Sequence, residues 1–117
     1  MTTARELKEH FHSCMPLFIA LGDKMRLAII EVLVENSFSL SSGSGAADLE
    51  GHGMNVNEIT NQLSLSRPAV SHHLKILRDA GLVDMRQEGT ANYYFLTLRN
   101  SNRILMDLGY KLEEFMY

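Results

Sequence analysis

Residues 66–81 carry sequence signals for both ends of a helix and for its apolar and polar faces. This segment constrains the fold more than any other feature. Ser66 is a good N-cap, Pro68 is tolerated in a first helical turn, and Gly81 suits the left-handed residue that follows a helix end. Apolar residues recur between them at helical spacing, namely Val70, Leu74 and Leu77. The segment therefore predicts a short amphipathic helix with one face in a core.

The opposite face of this helix is polar. With Val70 inward and about 100° between successive residues, that face carries Arg67, Ser71, His72, Lys75 and Arg78. Asp79 is its one carboxylate, and the other acids of the region are expected to lie mostly away from the cations. Arg and Lys bind phosphates or guanine edges, and Ser and His bind phosphates or bases, so the face suits the major groove of DNA. The alternative is an ordinary solvated helix face.

The flanking segments predict a helix before this one and a hairpin after it. Asn55 and Glu58 form a capping-box pattern at the start of a segment with an apolar stripe. Residues 82–98 are rich in aromatic and β-branched residues around a reversal. Two short helices joined by a tight turn and followed by a hairpin form a winged helix-turn-helix. We predict the helix-turn-helix at 56–80 and the wing at 82–98, with Arg86 able to reach the DNA backbone or minor groove.

Two helices are predicted in the first part of the chain. The first is amphipathic, spans 5–15 and is ended or kinked by Pro16, which lacks an N–H group. An apolar run at 17–21 follows and is expected to be buried. Asp23 then caps a second helix, which extends to about Asn36.

Serine and glycine dominate the next segment, which is too long to be common inside a compact domain. We interpret it as a flexible insertion, because the helices before it cannot close a core alone. The chain is then a single domain, 1–117, mainly α with a β-hairpin wing. Its predicted parts are N-terminal helices at 5–36, the insertion at 37–55, the helix-turn-helix at 56–80, the wing at 82–98 and a C-terminal helix at 101–116.

Composition limits the possible functions. The net charge is −3, but residues 56–99 hold five Lys+Arg and four Asp+Glu and are the one positive stretch. Cys14 is the only cysteine, which excludes an internal disulfide and predicts a reducing, cytoplasmic setting. No apolar run approaches a membrane span, and the first residues have no signal-peptide pattern. We predict no enzyme, because no nucleophile–base pair, phosphate-binding glycine loop or metal triad is present.

Several segments resemble the ArsR/SmtB-type repressors and together cover most of the chain outside the insertion. They are residues 17–23, 26–27, 66–83, 88–89 and 93–96, of which 68–83 are highly specific to that family. The resemblance implies a winged helix-turn-helix homodimer that is held by its first and last helices, binds an operator and is released by an effector.

The apolar stripes of the first and last helices fit that expectation, because a small domain does not easily cover them alone. Packing within one chain is the alternative. The residues predicted at the dimer interface are Leu7, Phe11, Met15, Ile104, Leu105, Leu108, Leu112 and Phe115.

We therefore expect a sequence-specific DNA-binding regulator, a homodimeric repressor released by an unidentified signal. Its recognition helices should lie about 34 Å apart on an imperfect palindrome in double-stranded DNA. The expected DNA contacts are Ser66, Arg67, Ser71, His72, Lys75, Arg78 and Arg86. An alternative is a winged-helix module that binds a protein instead of DNA.

No cofactor or metal is predicted, because the family's usual metal sites are missing. Asn55 and Asn57 occupy the positions of a Cys-x-Cys site, and the last helix has no histidine. A second alternative is that the protein is a metal or thiol sensor that uses His10, His12 and Cys14. His10 and Cys14 share a helix face and could complete a four-ligand site across a dimer, although surface histidines and a core cysteine are the ordinary interpretation.

Overall fold

The computed structural model describes residues 2–39 and 53–117, which form mainly helices with one hairpin. In chain order the elements are α1 (Ala4–Leu21), α2 (Lys24–Ser39), α3 (Val56–Asn61), α4 (Arg67–Asp79), β1 (Val83–Glu88), β2 (Ala91–Leu96) and α5 (Arg99–Met116). The two strands are antiparallel, with Val83 opposite Leu96. The predicted class, mainly helical with a β-hairpin, is confirmed. In the described ranges no helix is both long and apolar enough to cross a membrane.

Pro16 does not end the first helix, so the predicted end at residue 15 is wrong. α1 is continuous from Ala4 to Leu21 with Pro16 inside it. Pro16 is exposed, and on that side of the helix water can hydrogen-bond to the His12 carbonyl group that loses its helical donor. α1 is therefore one continuous helix of 18 residues, which includes the segment predicted to follow it.

α2 begins at the predicted cap but extends beyond the predicted end. The Asp23 carboxylate accepts hydrogen bonds from the backbone N–H groups of Arg26 (3.1 Å) and Met25 (2.8 Å). These bonds, chiefly the one from Arg26, lower the pKa of Asp23. α2 continues to Ser39, so the predicted insertion at 37–55 starts too early. Its central part, residues 40–52, lies outside the described residues.

Gly53 and Met54 lie within the predicted insertion, but they are held against the hairpin. Met54 pairs with Tyr94 through two backbone hydrogen bonds of 2.8 Å, and its side chain is buried. Gly53 has a φ of +52°, and a Cβ atom there would lie 3.0 Å from the Tyr94 carbonyl oxygen. Glycine is therefore required where the chain enters α3.

Local capping signals define the helix-turn-helix as predicted. Asn55 and Glu58 form a reciprocal capping box at the start of α3. The Ser66 hydroxyl group accepts a backbone N–H bond of 3.3 Å at the start of α4. At the end of α4, Gly81 has a φ of +81° and the Leu82 N–H group donates back into the last turn at 3.0 Å. These two features form a Schellman stop around the left-handed glycine that the sequence predicts.

One hydrophobic core joins the helices to the hairpin. Its largest fully buried side chains are Ile29, Leu33, Ile59, Leu74, Leu77 and Leu96. α1 packs against α5 beside this core, and the two helices are antiparallel. The thiol of Cys14 lies 3.7 Å from the Ile104 carbonyl oxygen, and Lys111 Nζ lies 3.8 Å from a carboxylate oxygen of Glu6.

Arg26 connects α1, α2 and α4. Its side chain is only 13% exposed, and it donates to the carbonyl oxygens of Ala20 (2.8 Å) and Ile19 (3.3 Å) at the end of α1. Its Nη1 lies 3.3 Å from Nδ1 of His73 on α4. A guanidinium group can only donate, so a hydrogen bond between these two nitrogens requires Nδ1 to be the acceptor, with the ring proton on Nε2. One largely buried cation thus links α4 to the end of α1.

We expect Arg26→Gln to lower the free energy of unfolding by about 3 kcal/mol, because two carbonyl groups lose a charged donor and each such hydrogen bond contributes at least about 1.5 kcal/mol. Urea denaturation measures this change. Arg5→Gln is the matched control, since Arg5 and Glu9 form an exposed pair whose loss should cost less than about 1 kcal/mol. Equal losses in the two variants would contradict a stabilising role for the buried network.

Candidate nucleic-acid interface

The two faces of α4 are separated as the sequence predicts. Val70, Leu74 and Leu77 are 0% exposed and lie in the core. The exposed residues of the opposite face are Arg67, Ser71, His72, Lys75 and Arg78. Of the other two predicted contacts, Ser66 is exposed but its hydroxyl group caps α4, and Arg86 is half-buried on β1. α4 therefore presents a continuous polar surface with hydrogen-bond donors along its length.

Carboxylates approach this surface more closely than predicted. The ion pairs are Lys75–Asp79 (3.0 Å), Arg78–Asp84 (3.3 Å) and Arg86–Glu88 (2.8 Å). The expectation that the acids lie away from the cations is wrong, because β1 returns alongside the end of α4 and brings Asp84 to Arg78. Among the described residues no carboxylate pairs with Arg67. Exposed pairs contribute about 0–1 kcal/mol each, so phosphates can replace these carboxylates at little cost.

The adjacent histidines of α4 have different surroundings. His72 is exposed on the polar face, whereas His73 is half-buried and accepts the hydrogen bond from Arg26. Their ring centroids are 5.8 Å apart. His72 is therefore available to a ligand on this face, and His73 holds the helix in place.

A polar cleft of about 360 Å³ extends the candidate interface beyond α4. It lies between the starts of α3 and α4 and the hairpin, and its lining includes Asn55, Asn57, Arg67, Ser71, Thr90 and Asn92. The sequence predicted Arg67 and Ser71 as DNA contacts but missed Asn57, Thr90 and Asn92. These residues are far apart in the sequence and meet only when the hairpin folds back onto the helices. Amide and hydroxyl groups bind phosphate oxygens and base edges, so the cleft can contribute to binding nucleic acid.

Within the described residues of one chain, the candidate metal or thiol residues do not form a three-ligand group. Cys14 is fully buried between α1 and α5, and its Sγ donates to the Ile104 carbonyl oxygen at 3.7 Å. Burial, with a smaller effect from Asp107, raises the pKa of the Cys14 thiol and so disfavours the reactive thiolate. His12 is exposed and His10 is half-buried. Within the described part of the chain, no group of three or more His, Cys, Asp and Glu residues could hold a metal ion.

Large apolar side chains remain exposed on α1 and α5 although these helices pack against each other. On α1 they are Phe11, Met15, Phe18 and Ile19, and on α5 they are Leu105, Met106, Tyr110, Phe115 and Met116. We call these nine residues the α1/α5 apolar surface. Large apolar side chains that remain exposed on two packed helices make this part of the molecule a candidate interaction site.

The predicted interface residues divide between this surface and the interior. Four of them are exposed, namely Phe11, Met15, Leu105 and Phe115. Leu7, Ile104 and Leu112 are half-buried, and Leu108 is buried within the single chain. The apolar run at 17–21 is also not buried throughout, because Phe18 and Ile19 face outward while Leu17 and Ala20 face inward.

The helix-turn-helix, the hairpin wing and the exposed cationic helix together define a winged helix-turn-helix protein of the transcriptional-regulator class. Comparison with known proteins identifies the family. Residues 49–85 match the model described as bacterial regulatory protein, arsR family. An HTH-type transcriptional regulator of Methanocaldococcus jannaschii, MJ1325, is 35% identical over 88 residues, or 75% of this chain and 82% of that protein. This chain therefore belongs to the ArsR family.

Two further relatives agree with this assignment. The transcriptional activator HlyU of Vibrio cholerae is 29% identical over 93 residues, which cover 80% of this chain and 71% of HlyU. The structure of reduced HlyU matches with a TM-score of 0.64 at 26% identity, covering 87% of this chain and 92% of HlyU. The transcriptional repressor SdpR of Bacillus subtilis is 35% identical over 48 residues, or 41% of this chain and 53% of SdpR. These relatives are regulators of transcription rather than enzymes.

The ion pairs at the end of α4 predict that removing a carboxylate strengthens DNA binding. We expect Asp84→Asn to raise the affinity for duplex DNA about two- to fivefold. In the wild type Arg78 must give up its ion pair with Asp84 before it can bind a phosphate, and in the variant it has no such pair to lose. Fluorescence anisotropy at constant salt measures the change. Glu9→Gln is the matched control, because it breaks a similar exposed pair on α1 and should leave the affinity unchanged. Weaker or unchanged binding by the Asp84 variant would contradict competition between carboxylate and phosphate.

Proposed function

We propose that this chain is a homodimeric repressor that binds an operator in double-stranded DNA and is released by a signal. The observation that carries this proposal is the division of α4 into a fully buried apolar face and an exposed polar face with three cations. The helix-turn-helix and wing give that face the form in which such helices enter the major groove.

The contacts proposed for each protomer follow from the position of each side chain. Arg67 and Ser71 lie in the first half of α4, beside the polar cleft, where residues of a recognition helix contact base edges. Lys75 and Arg78 lie further along the same face and suit phosphate contacts. Arg86 on the wing pairs with Glu88, a carboxylate that a phosphate can replace, so Arg86 can reach the adjacent DNA backbone or minor groove.

The α1/α5 apolar surface supports the dimer. A symmetric pair needs a surface that is complementary to itself, and two antiparallel helices with exposed aromatic and methionine side chains can pack against their own copy. The pair would present two copies of α4 to half-sites about one helical turn apart, or a multiple of that distance. The operator is then an imperfect palindrome.

Loss of a cation from α4 should weaken DNA binding and reduce its dependence on salt. We expect Arg67→Ala and Lys75→Ala each to lower the affinity for the promoter region of the regulated gene. Lys75→Ala, which loses a phosphate contact, should also make the slope of log K against log salt shallower by about 0.9. Anisotropy titrations at several salt concentrations measure both effects.

Lys24→Ala is the control for these variants, because Lys24 is exposed on α2 and should leave the slope unchanged. In a promoter–reporter strain, the α4 variants should raise expression. Lower expression would indicate activation instead of repression. Unchanged affinity and slope in both α4 variants would contradict DNA recognition by α4.

A charge placed on the α1/α5 apolar surface should separate the protomers. Met15 is 43% exposed, so Met15→Glu leaves the fold intact but places two like charges at a symmetric interface. We expect the dimer dissociation constant to rise at least about tenfold, which corresponds to about 1.4 kcal/mol. Sedimentation velocity measures it. Ser13→Glu, exposed on another side of α1, is the control. An unchanged dimer in the Met15 variant would contradict this interface.

A further inference from the structure

An apolar groove of about 650 Å³ lies where the end of α1, the start of α2 and the start of α5 meet. Its apolar lining consists of Leu21, Leu27, Ile30, Leu82, Leu98 and Leu105. Leu27 is 43% exposed, so the groove is open to solvent in the single chain, and Leu105, which is 38% exposed, is shared with the α1/α5 apolar surface. Its volume is within the range of about 300–1,000 Å³ that is typical of sites for small organic molecules. None of the proposed DNA contacts lines it.

One end of the groove is polar and positively charged. Arg99, Ser101 and Asn102, all from the first turn of α5, complete its lining. Arg99 is exposed, and within the described residues no carboxylate pairs with it, in contrast to Lys75 and Arg78. The first turn of α5 contains no acidic residue, so the positive end of the helix dipole adds to the charge of Arg99. An anionic group is therefore favoured at this end and an apolar body along the rest.

The groove is connected to the end of the recognition helix. Leu82 lines it, and the Leu82 N–H group also closes the last turn of α4. The adjacent Gly81 carbonyl oxygen accepts hydrogen bonds from the hydroxyl groups of Thr97 (3.2 Å) and Ser101 (3.4 Å). A molecule pressed against Leu82 would displace groups that fix the end of α4.

We propose that this groove binds a small anionic amphiphile, with its carboxylate at Arg99 and its alkyl or aromatic body along the leucine lining, and that binding lowers the affinity for DNA. The second half of this statement depends on the proposed function, because it identifies the class of signal that releases the repressor. The first half concerns a binding site and holds independently of DNA.

Calorimetric titration of the DNA-free protein tests the site, with decanoate as the probe below its micelle-forming concentration. Decanoate should bind one site per chain, and octanoate should bind about tenfold more weakly because two buried CH₂ groups are lost. Decyltrimethylammonium, which has the same chain length and the opposite charge, should not bind. Equal binding of the cationic probe, or no binding of decanoate, would overturn the proposal.

Variants locate the site. Arg99→Gln should lower the affinity for decanoate about tenfold, because the carboxylate loses its cation. The affinity for decanol, which has no carboxylate, should change less than about twofold. Leu27→Asp, at an exposed position of the groove, should abolish binding of decanoate. Arg103→Gln is the matched control, since Arg103 is exposed on α5 but does not line the groove. Equal effects of the Arg99 and Arg103 substitutions would show that the charge at the groove is not used.

The effect on DNA is measured separately. Saturating decanoate should weaken promoter binding by the wild type about tenfold, within the usual range of allosteric coupling, and should not affect the Leu27→Asp variant. Decanoate binding that leaves the DNA affinity unchanged would overturn the role as a signal. A protein that binds decanoate but no DNA would overturn the proposed function and leave the site intact. Decanoate binding that disappears as the protein dimerises would show that a second copy fills the groove, and would overturn the proposal.

Discussion

The buried face of α4 is the constraint on which the other features depend. Val70, Leu74 and Leu77 have no exposed surface, and burial of each such side chain contributes about 1.5–3 kcal/mol. Rotation of the helix about its axis would expose this face and bring Lys75 or Arg78 toward the core, where an unpaired charge is very costly. The helix therefore has one stable orientation. The exposure of the cations and the shape of the polar cleft are consequences of it.

The chain has an acidic total charge. Several of its carboxylates form ion pairs with the cations of α4 and the wing. Asp79, Asp84 and Glu88 neutralise most of the charge that α4 and the wing present. Such a surface has a weak attraction for arbitrary polyanions, since nonspecific binding to DNA depends on net neutralisation of phosphates. Specific binding then depends more on complementary geometry than on charge alone.

Features set by neighbours in the sequence could be predicted, and features set by distant contacts could not. The caps at Asn55 and Ser66 and the stop at Gly81 depend on residues within one or two turns, so the helix-turn-helix was located correctly. Continuation of α1 through Pro16 depends on solvent exposure, which sequence spacing does not reveal. The pairing of Met54 with the hairpin and of Asp84 with Arg78 joins segments whose proximity exists only after folding. The polar cleft was missed for the same reason.

The bond from Arg26 to His73 limits which residues of α4 can be exchanged. Outward residues of α4 can be exchanged without touching the core, because their side chains have no packing role. His73 belongs to the same helix but serves the scaffold, as the acceptor for a guanidinium group that also holds the end of α1. A recognition helix transplanted from another protein would have to bring a hydrogen-bond acceptor at that position, or the transplant would lose its alignment with the rest of the subunit.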